Sequence, residues 1–263
     1  MLPAIVALAQ RHPIHALIRP VGGRNPDAPS RLATLLAQPG RAVQDKIARL
    51  WGRFVRAGLD RALLNHCGVA PELPAGVPIV EIPHWRINAE ATAALVASYA
   101  PHLLVVFGAP LLARTIHALP ARGSLNVHLG IAPHYRGEHT LFWPLVRGDT
   151  DRIGITVHRI DDGIDSGQIL AQGFPEIAAD DREADVWVKS IVLAARLLPE
   201  VVAAEMASAG GLIAATSSPV RGEVFRYRDR TPLADARYRL RRAFGHARLA
   251  PRPERIVRAP PSP

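Results

Sequence analysis

The 263-residue chain has one cysteine, Cys67. No intrachain disulfide can form, a four-thiolate metal site is excluded, and the setting this fits is a reducing, cytoplasmic one. No run approaches the roughly 20 uninterrupted apolar residues of a membrane span. The opening MLPAIVALAQRH has neither a basic start nor a long apolar stretch, which argues against a signal peptide. Internal repeats are absent as well. What remains is ordinary globular composition, 48% hydrophobic and 21% charged. That is enough chain for one large α/β domain, with or without a small appendage.

The formal charge of +9 is concentrated near one end. Between Arg221 and Arg258, twelve arginines face only Glu223, Asp229, Asp235 and Glu254, a net of +8. The rest is nearly neutral, so the excess marks a basic, solvated tail rather than a nucleic-acid-binding surface. The predicted division is a domain over 1–212 and a basic C-terminal extension over 213–263, whose Pro-rich end APRPERIVRAPPSP is expected to be disordered.

Short Val/Ile/Leu-rich runs alternate with helical patterns, which predicts an α/β fold: an open, mostly parallel Rossmann-like sheet with helices on both faces. The runs are 15–20, 77–82, 103–108, 124–128 and 154–160. The helical patterns are 29–59, 88–98, 110–118, 139–147 and 182–209. The beginning is unusual. Residues 2–11 read as a helix and 15–20 as a strand, with too few residues before it for a parallel crossover. The chain is therefore expected to open inside the first helix and to lack the usual first strand.

The chemistry concentrates in SLNVHLGIAPHYRGEHT (124–140) and GITVHRIDDGIDSGQIL (154–170). Asn126 and His128 lie two apart at a strand end, so their side chains share a face. Ligands in open α/β sheets bind outside the carboxyl ends of the strands. Asp165 sits in a Gly-bracketed loop that could fold over that end; Asp161 and Asp162 compete as the functional carboxylate. An amide donor, an imidazole and a carboxylate suit acyl transfer to an amine, which must shed a proton while the carbonyl becomes an oxyanion. The run DDGIDSG lacks the alternating acids of a calcium loop. Histidines 117, 128, 134, 139 and 158 lack helical zinc spacing, so no metal is expected.

Asn126, His128, Pro133, Tyr135, Arg136, Gly137, Gly154, Thr156, His158 and Asp165 together resemble the folate-dependent formyltransferases. These are the glycinamide ribonucleotide formyltransferases and the N-terminal domain of methionyl-tRNA formyltransferase. The resemblance covers about 75–205. It implies a formyltransferase fold and enzyme, with 10-formyltetrahydrofolate as formyl donor. It further implies that Asn126 and His128 stabilise the oxyanion and mediate proton transfer, and that Asp165 holds His128 and a water. Phe107, Gly108, Leu111 and Leu112, with Ile160, Asp161 and Gly163, would form the wall that receives the pterin. Arg136, Gly137, His139 and His158 would face the acceptor or support the site, and Arg136 is expected chiefly to anchor its loop.

Two departures bear on the acceptor. Many family members carry Ser-Leu-Leu-Pro where this chain has Gly130-Ile131-Ala132-Pro133, so contacts from a Ser at 130 are lost. The Gly-rich phosphate-cradling loop of the purine enzyme is expected to be missing with the opening strand, and the residues after Leu212 are expected to be too few for the C-terminal barrel domain of methionyl-tRNA formyltransferase. A small metabolite amine, such as an amino sugar or glycinamide-type amine, is therefore favoured over aminoacyl-tRNA. The alternatives are a hydrolase that passes the formyl group to water and a catalytically silent binding module.

Overall fold

The computed structural model describes residues 2–22, 25–26, 39–68, 72–208 and 222–259. In chain order the elements are α1 (Leu2–Ala9), β1 (Leu17–Val21), α2 (Pro39–Cys67), β2 (Ile79–Pro83), α3 (Glu90–Ser98), β3 (Leu104–Val106), α4 (Arg114–His117) and β4 (Ser124–His128). There follow β5 (Tyr135–Gly137), α5 (Phe142–Arg147), β6 (Ile155–Arg159), β7 (Ile169–Phe174), α6 (Glu183–Ala207), β8 (Glu223–Phe225), α7 (Pro232–Ala243) and β9 (Arg255–Arg258).

A five-stranded sheet in the order β3-β4-β6-β7-β9 carries the core. β3 and β4 are parallel, whereas β6, β7 and β9 each run antiparallel to their neighbour. The period-2 alternation of β4 and β6 decides which face does what. Leu125, Val127, Ile155 and Val157 point to one side and pack, fully or almost fully buried, against α1 and α6. Asn126, His128, Thr156 and His158 point to the other. α3 and α4 supply a smaller apolar cluster around Val106 and Ile116. α2, α5, α6 and α7 close a third around Phe142, Trp187 and Tyr238.

The expected helix at the start is present and lies along α6, where the His12 Nε2–H donates to the Pro199 carbonyl at 2.9 Å. β1 and β2 form their own parallel pair. Between that pair and β3 lies an apolar slot of about 1030 Å³ bordered by Leu8, Ile18, Leu104, Val105, Leu198 and Val202. The sheet is parted at the place where the sequence reading misses a strand.

Three expectations are adjusted. The first half of the helix predicted over 29–59 lies partly outside the described residues, and the helix continues beyond Leu59 to Cys67. The C-terminal stretch is not disordered throughout: β9 pairs with β7 through Ala171–Arg258 to Phe174–Arg255, and Ile177 bridges Arg252. The reason is packing that composition hides. Arg255 and Arg252 lay their guanidinium groups over the Phe174 ring at 4.2 and 5.3 Å, while Leu249 and Ala259 are buried. Finally, the helix-period segment at 139–147 starts only at Phe142, because His139 takes a left-handed backbone (φ 56°).

Candidate active site

The antiparallel register of β4 and β6 sets Asn126 opposite His158 and His128 opposite Thr156. All four side chains rise from the polar face into the loop that follows β4. Thr156 fastens that loop twice: its Oγ1 donates to the Gly130 carbonyl (2.7 Å) and accepts from the Ala132 N–H (3.1 Å). Gln172 donates to the Ala132 carbonyl at 2.7 Å, and Thr140 Oγ1 to the Leu129 carbonyl at 2.6 Å. Gly130 is packed so closely that a Cβ there would stand 2.5 Å from His128 Nε2 and 2.7 Å from Thr140 Cβ. The missing serine is thus a matter of space, since the loop closes directly onto the imidazole.

The loop after β6 folds back over this face, as expected. Of its three aspartates, Asp165 is the one brought to the histidines. Its Oδ2 lies 3.3 Å from His128 Nδ1 and its Oδ1 3.4 Å from His158 Nε2. It also accepts from the Gly137 N–H at 2.7 Å and from Asn126 Nδ2 at 3.1 Å. Asp161 instead closes a local turn, accepting from Gly163 N–H and Ser166 Oγ. Asp162 is exposed beside Arg114 and His117. Arg136, buried, donates its Nε–H to the Ile164 carbonyl at 2.7 Å and so pins the residue before Asp165. Gly137 is required twice over: its φ is +86°, and a Cβ would stand 2.1 Å from the Phe225 carbonyl oxygen.

These contacts fix proton positions. A carbonyl only accepts, so His128 Nε2 carries a proton, donated to the Tyr135 carbonyl at 2.8 Å. In the neutral ring Nδ1 then presents a lone pair to Asp165. By the same logic His158 donates Nδ1–H to the Arg159 carbonyl (2.8 Å), and its Nε2 accepts from Asn126 Nδ2 (3.2 Å). Burial lowers the pKa of His128, against the opposing pull of Asp165. Burial alone would raise Asp165, but His128 and His158 in their charged forms, with the Gly137 N–H, hold it well below the usual carboxylate range. The state at neutral pH is a carboxylate facing a neutral imidazole with one free lone pair, a proton acceptor whose charged form has its counter-ion in place.

Asn126, His128 and Asp165 open into a cavity of about 590 Å³, within the usual range for small-molecule sites. Phe107, Gly108, Leu111, Leu112, Ile160, Asp161 and Gly163 line one side. Gly137, His139 and His158 also line it; Arg136 does not, and acts behind the wall. The far side was not foreseen. It is built by Arg56 of α2, Glu138, Trp187 of α6, and Val224–Tyr227 from the segment read as an extension. Arg56 lies over the Trp187 ring at 5.2 Å, and Tyr227 sits against the His139 ring at 5.1 Å. The two arginines nearby, Arg230 and Arg56, add to burial and push the pKa of His139 down to about 4. The one signal in the sequence was the short EVF run, which β5 recruits as a parallel strand.

Residues 76–202 match the family model described as formyl transferase. Over 141 residues the chain is 34% identical to methionyl-tRNA formyltransferase of Methylibium petroleiphilum, covering 54% of this chain and 41% of that protein. Over 137 residues it is 31% identical to cytosolic 10-formyltetrahydrofolate dehydrogenase of Xenopus laevis, covering 48% of this chain and 15% of that protein. The chain thus spans less than half of either relative. Among solved structures, a sugar N-formyltransferase from Shewanella superposes over 96% of this chain and 99% of its own with a TM-score of 0.51 at 17% identity, a likeness of fold. The motif residues of 124–165, gathered on one sheet face, all lie within the stretch 76–202 that matches the formyl transferase family model.

Proposed function

We propose that this chain transfers the formyl group of 10-formyltetrahydrofolate to an amine of a small metabolite, with an amino sugar or glycinamide-type amine favoured. The observation that carries the reading is the free His128 Nδ1 lone pair held against Asp165 at the mouth of the cavity. The family match and the relatives named for formyl-carrying chemistry support it.

The acceptor nitrogen attacks the formyl carbon, and the carbonyl π pair moves to oxygen. Collapse of the tetrahedral intermediate breaks the bond to N10, which takes up a proton as the amine loses one. His128 Nδ1 receives the amine's proton and passes it to N10, and Asp165 stabilises the imidazolium in between. Asn126 supplies the N–H for the oxyanion. In the structure both of its N–H groups are engaged, by Asp165 and His158, so donation to substrate exchanges one of these bonds. The apolar wall Phe107–Leu112, with Ile160, Asp161 and Gly163, receives the pterin. Gly137, His139 and His158 face the acceptor side, and Arg136 holds the Asp165 loop in position. Residues 1–212 act as the catalytic domain, to which the basic segment after 213 contributes the wall at Val224–Tyr227.

The test is tetrahydrofolate release from 10-formyltetrahydrofolate with a panel of amines and with water alone, in the native chain and in Asp165→Ala. Amine-dependent release that collapses in the variant supports the transferase. Equal release without amine moves the activity to hydrolysis. No release and no folate binding by a folded sample leaves a silent binding module.

A further inference from the structure

α2 carries two apolar faces, and only one is packed into a core cluster among the described residues. Leu59 and Leu63 are buried, with Val55 and Ala62 packed against the same cluster at α6. On that side Gly52 is pressed against the Tyr227 hydroxyl, and Trp51 Nε1 donates to Asp235 at 2.7 Å. On the opposite side Val43, Ile47, Leu50, Phe54 and Leu64 are between 45% and 64% exposed. With exposed Ala57 and Arg61 they recur at alternating steps of four and three along the 29-residue helix. That is the heptad spacing of a helix seam that faces another helix, not the broader stripe of a helix lying on its own core.

We propose that this seam is the dimer interface of the protein, formed by α2 of a second copy of the chain lying antiparallel. The flanking charges select the direction. Lys46, Arg53 and Asp60, all exposed, occupy the heptad position bordering one edge of the seam; Gln44, Trp51, Gly58 and Asn65 border the other. In a parallel pair the first row meets the second and no charges pair. In an antiparallel pair the first row meets itself. Lys46 then reaches Asp60 of the partner subunit, and Asp60 reaches Lys46 of the partner subunit, while the two Arg53 side chains meet at the dyad. Phe54 packs against Leu50 of the partner subunit and Ile47 against Ala57 of the partner subunit. Arg61 falls opposite Val43 of the partner subunit near the end of the seam, where its long stem reaches water.

The same Arg61 argues against a lipid surface as the occupant. It lies 18 residues after Val43, five turns of about 3.6 residues, and so in the middle of the apolar stripe. An interfacial helix would have to carry that charge into the acyl region. A dimer through α2 also braces the active-site wall, since Gly52, Val55, Arg56 and Leu59 of the same helix line the cavity.

The test is the mass of the 263-residue chain by sedimentation over the micromolar range, with crosslinking to fix the register. The native chain is expected at twice its 28.4 kDa, and Leu50→Glu/Phe54→Glu at the monomer mass with an unchanged circular-dichroism spectrum. In a Cys67→Ser background, a short bismaleimide is expected to join two copies of Arg53→Cys. These residues lie roughly 3 Å apart along the axis, whereas two copies of Lys46→Cys lie roughly 18 Å apart and stay unlinked at 1.5 Å of rise per residue. A native chain that stays monomeric overturns the proposal, and so does crosslinking of Lys46→Cys as efficiently as Arg53→Cys. Monomers that cosediment with phosphatidylserine-containing vesicles, and lose this with the Glu double substitution, reassign the face to membrane.

Discussion

Replacing Asp165 by Asn removes the charge behind His128 while keeping the shape. Oδ2 and His128 Nδ1 are 3.3 Å apart, and the two side chains are 12% and 6% exposed, so water screens the pair little. At an effective dielectric of about 20, unit charges at that distance interact by about 5 kcal/mol. Removing one member of a buried pair costs about 3–5 kcal/mol in practice. If the imidazolium forms during transfer, that loss falls on the transition state. At about 1.4 kcal/mol per decade, it lowers kcat/KM roughly a hundred- to several-thousand-fold. The His128 pKa, already lowered by burial, falls further, because Asp165 is the main group raising it. The assay pairs steady-state kinetics with nitrogen-15 NMR of the imidazoles, which also reports the tautomer. Activity within a few-fold of native, or a proton on Nδ1 of the neutral ring, would refute the reasoning.

Other perturbations follow from the same geometry. His139 is neutral in the fold, with its pKa pushed down to about 4, whereas the unfolded chain binds a proton near 6.5. Stability is therefore full above about pH 6.5 and declines as pH falls towards 4, by at most about 3 kcal/mol; His139→Phe should flatten that decline in urea titrations at pH 7 and 5. Gly137→Ala meets both a left-handed backbone and the Phe225 carbonyl. It should cost about 2–4 kcal/mol, read as a lower thermal midpoint and lost activity. Arg136→Met frees the Ile164 carbonyl and should lower kcat about tenfold with little change in overall stability; an unchanged kcat would remove Arg136 from the positioning of Asp165. Gly130→Ser should abolish activity, because the added atoms collide with His128 and Thr140. An active serine variant would show that the loop has room.

Local patterns carried much of this site. The Asn-x-His spacing and the strand alternation placed Asn126, His128 and His158 on one face, and the Gly-bracketed loop put Asp165 over it. The cavity-lining residues of 107–112 and 160–163 were legible because they follow directly on the ends of β3 and β6. The opposite wall was not, since Arg56 and Tyr227 reach the cavity through packing between α2 and the short helical turn Tyr227–Asp229, which no periodicity announces. β9 was missed for a related reason. Its partner β7 and the arginine–Phe174 stacking are long-range, and an Arg/Pro-rich composition alone reads as a solvated tail.

The most direct measurement follows carbon-13 from labelled 10-formyltetrahydrofolate by NMR, in the presence of an amino sugar or a glycinamide-type amine. The label is expected in a formamide, formed by the native chain and not by Asp165→Ala. Label appearing as formate at the same rate with or without amine would contradict it, as would formamide formed equally fast by the variant.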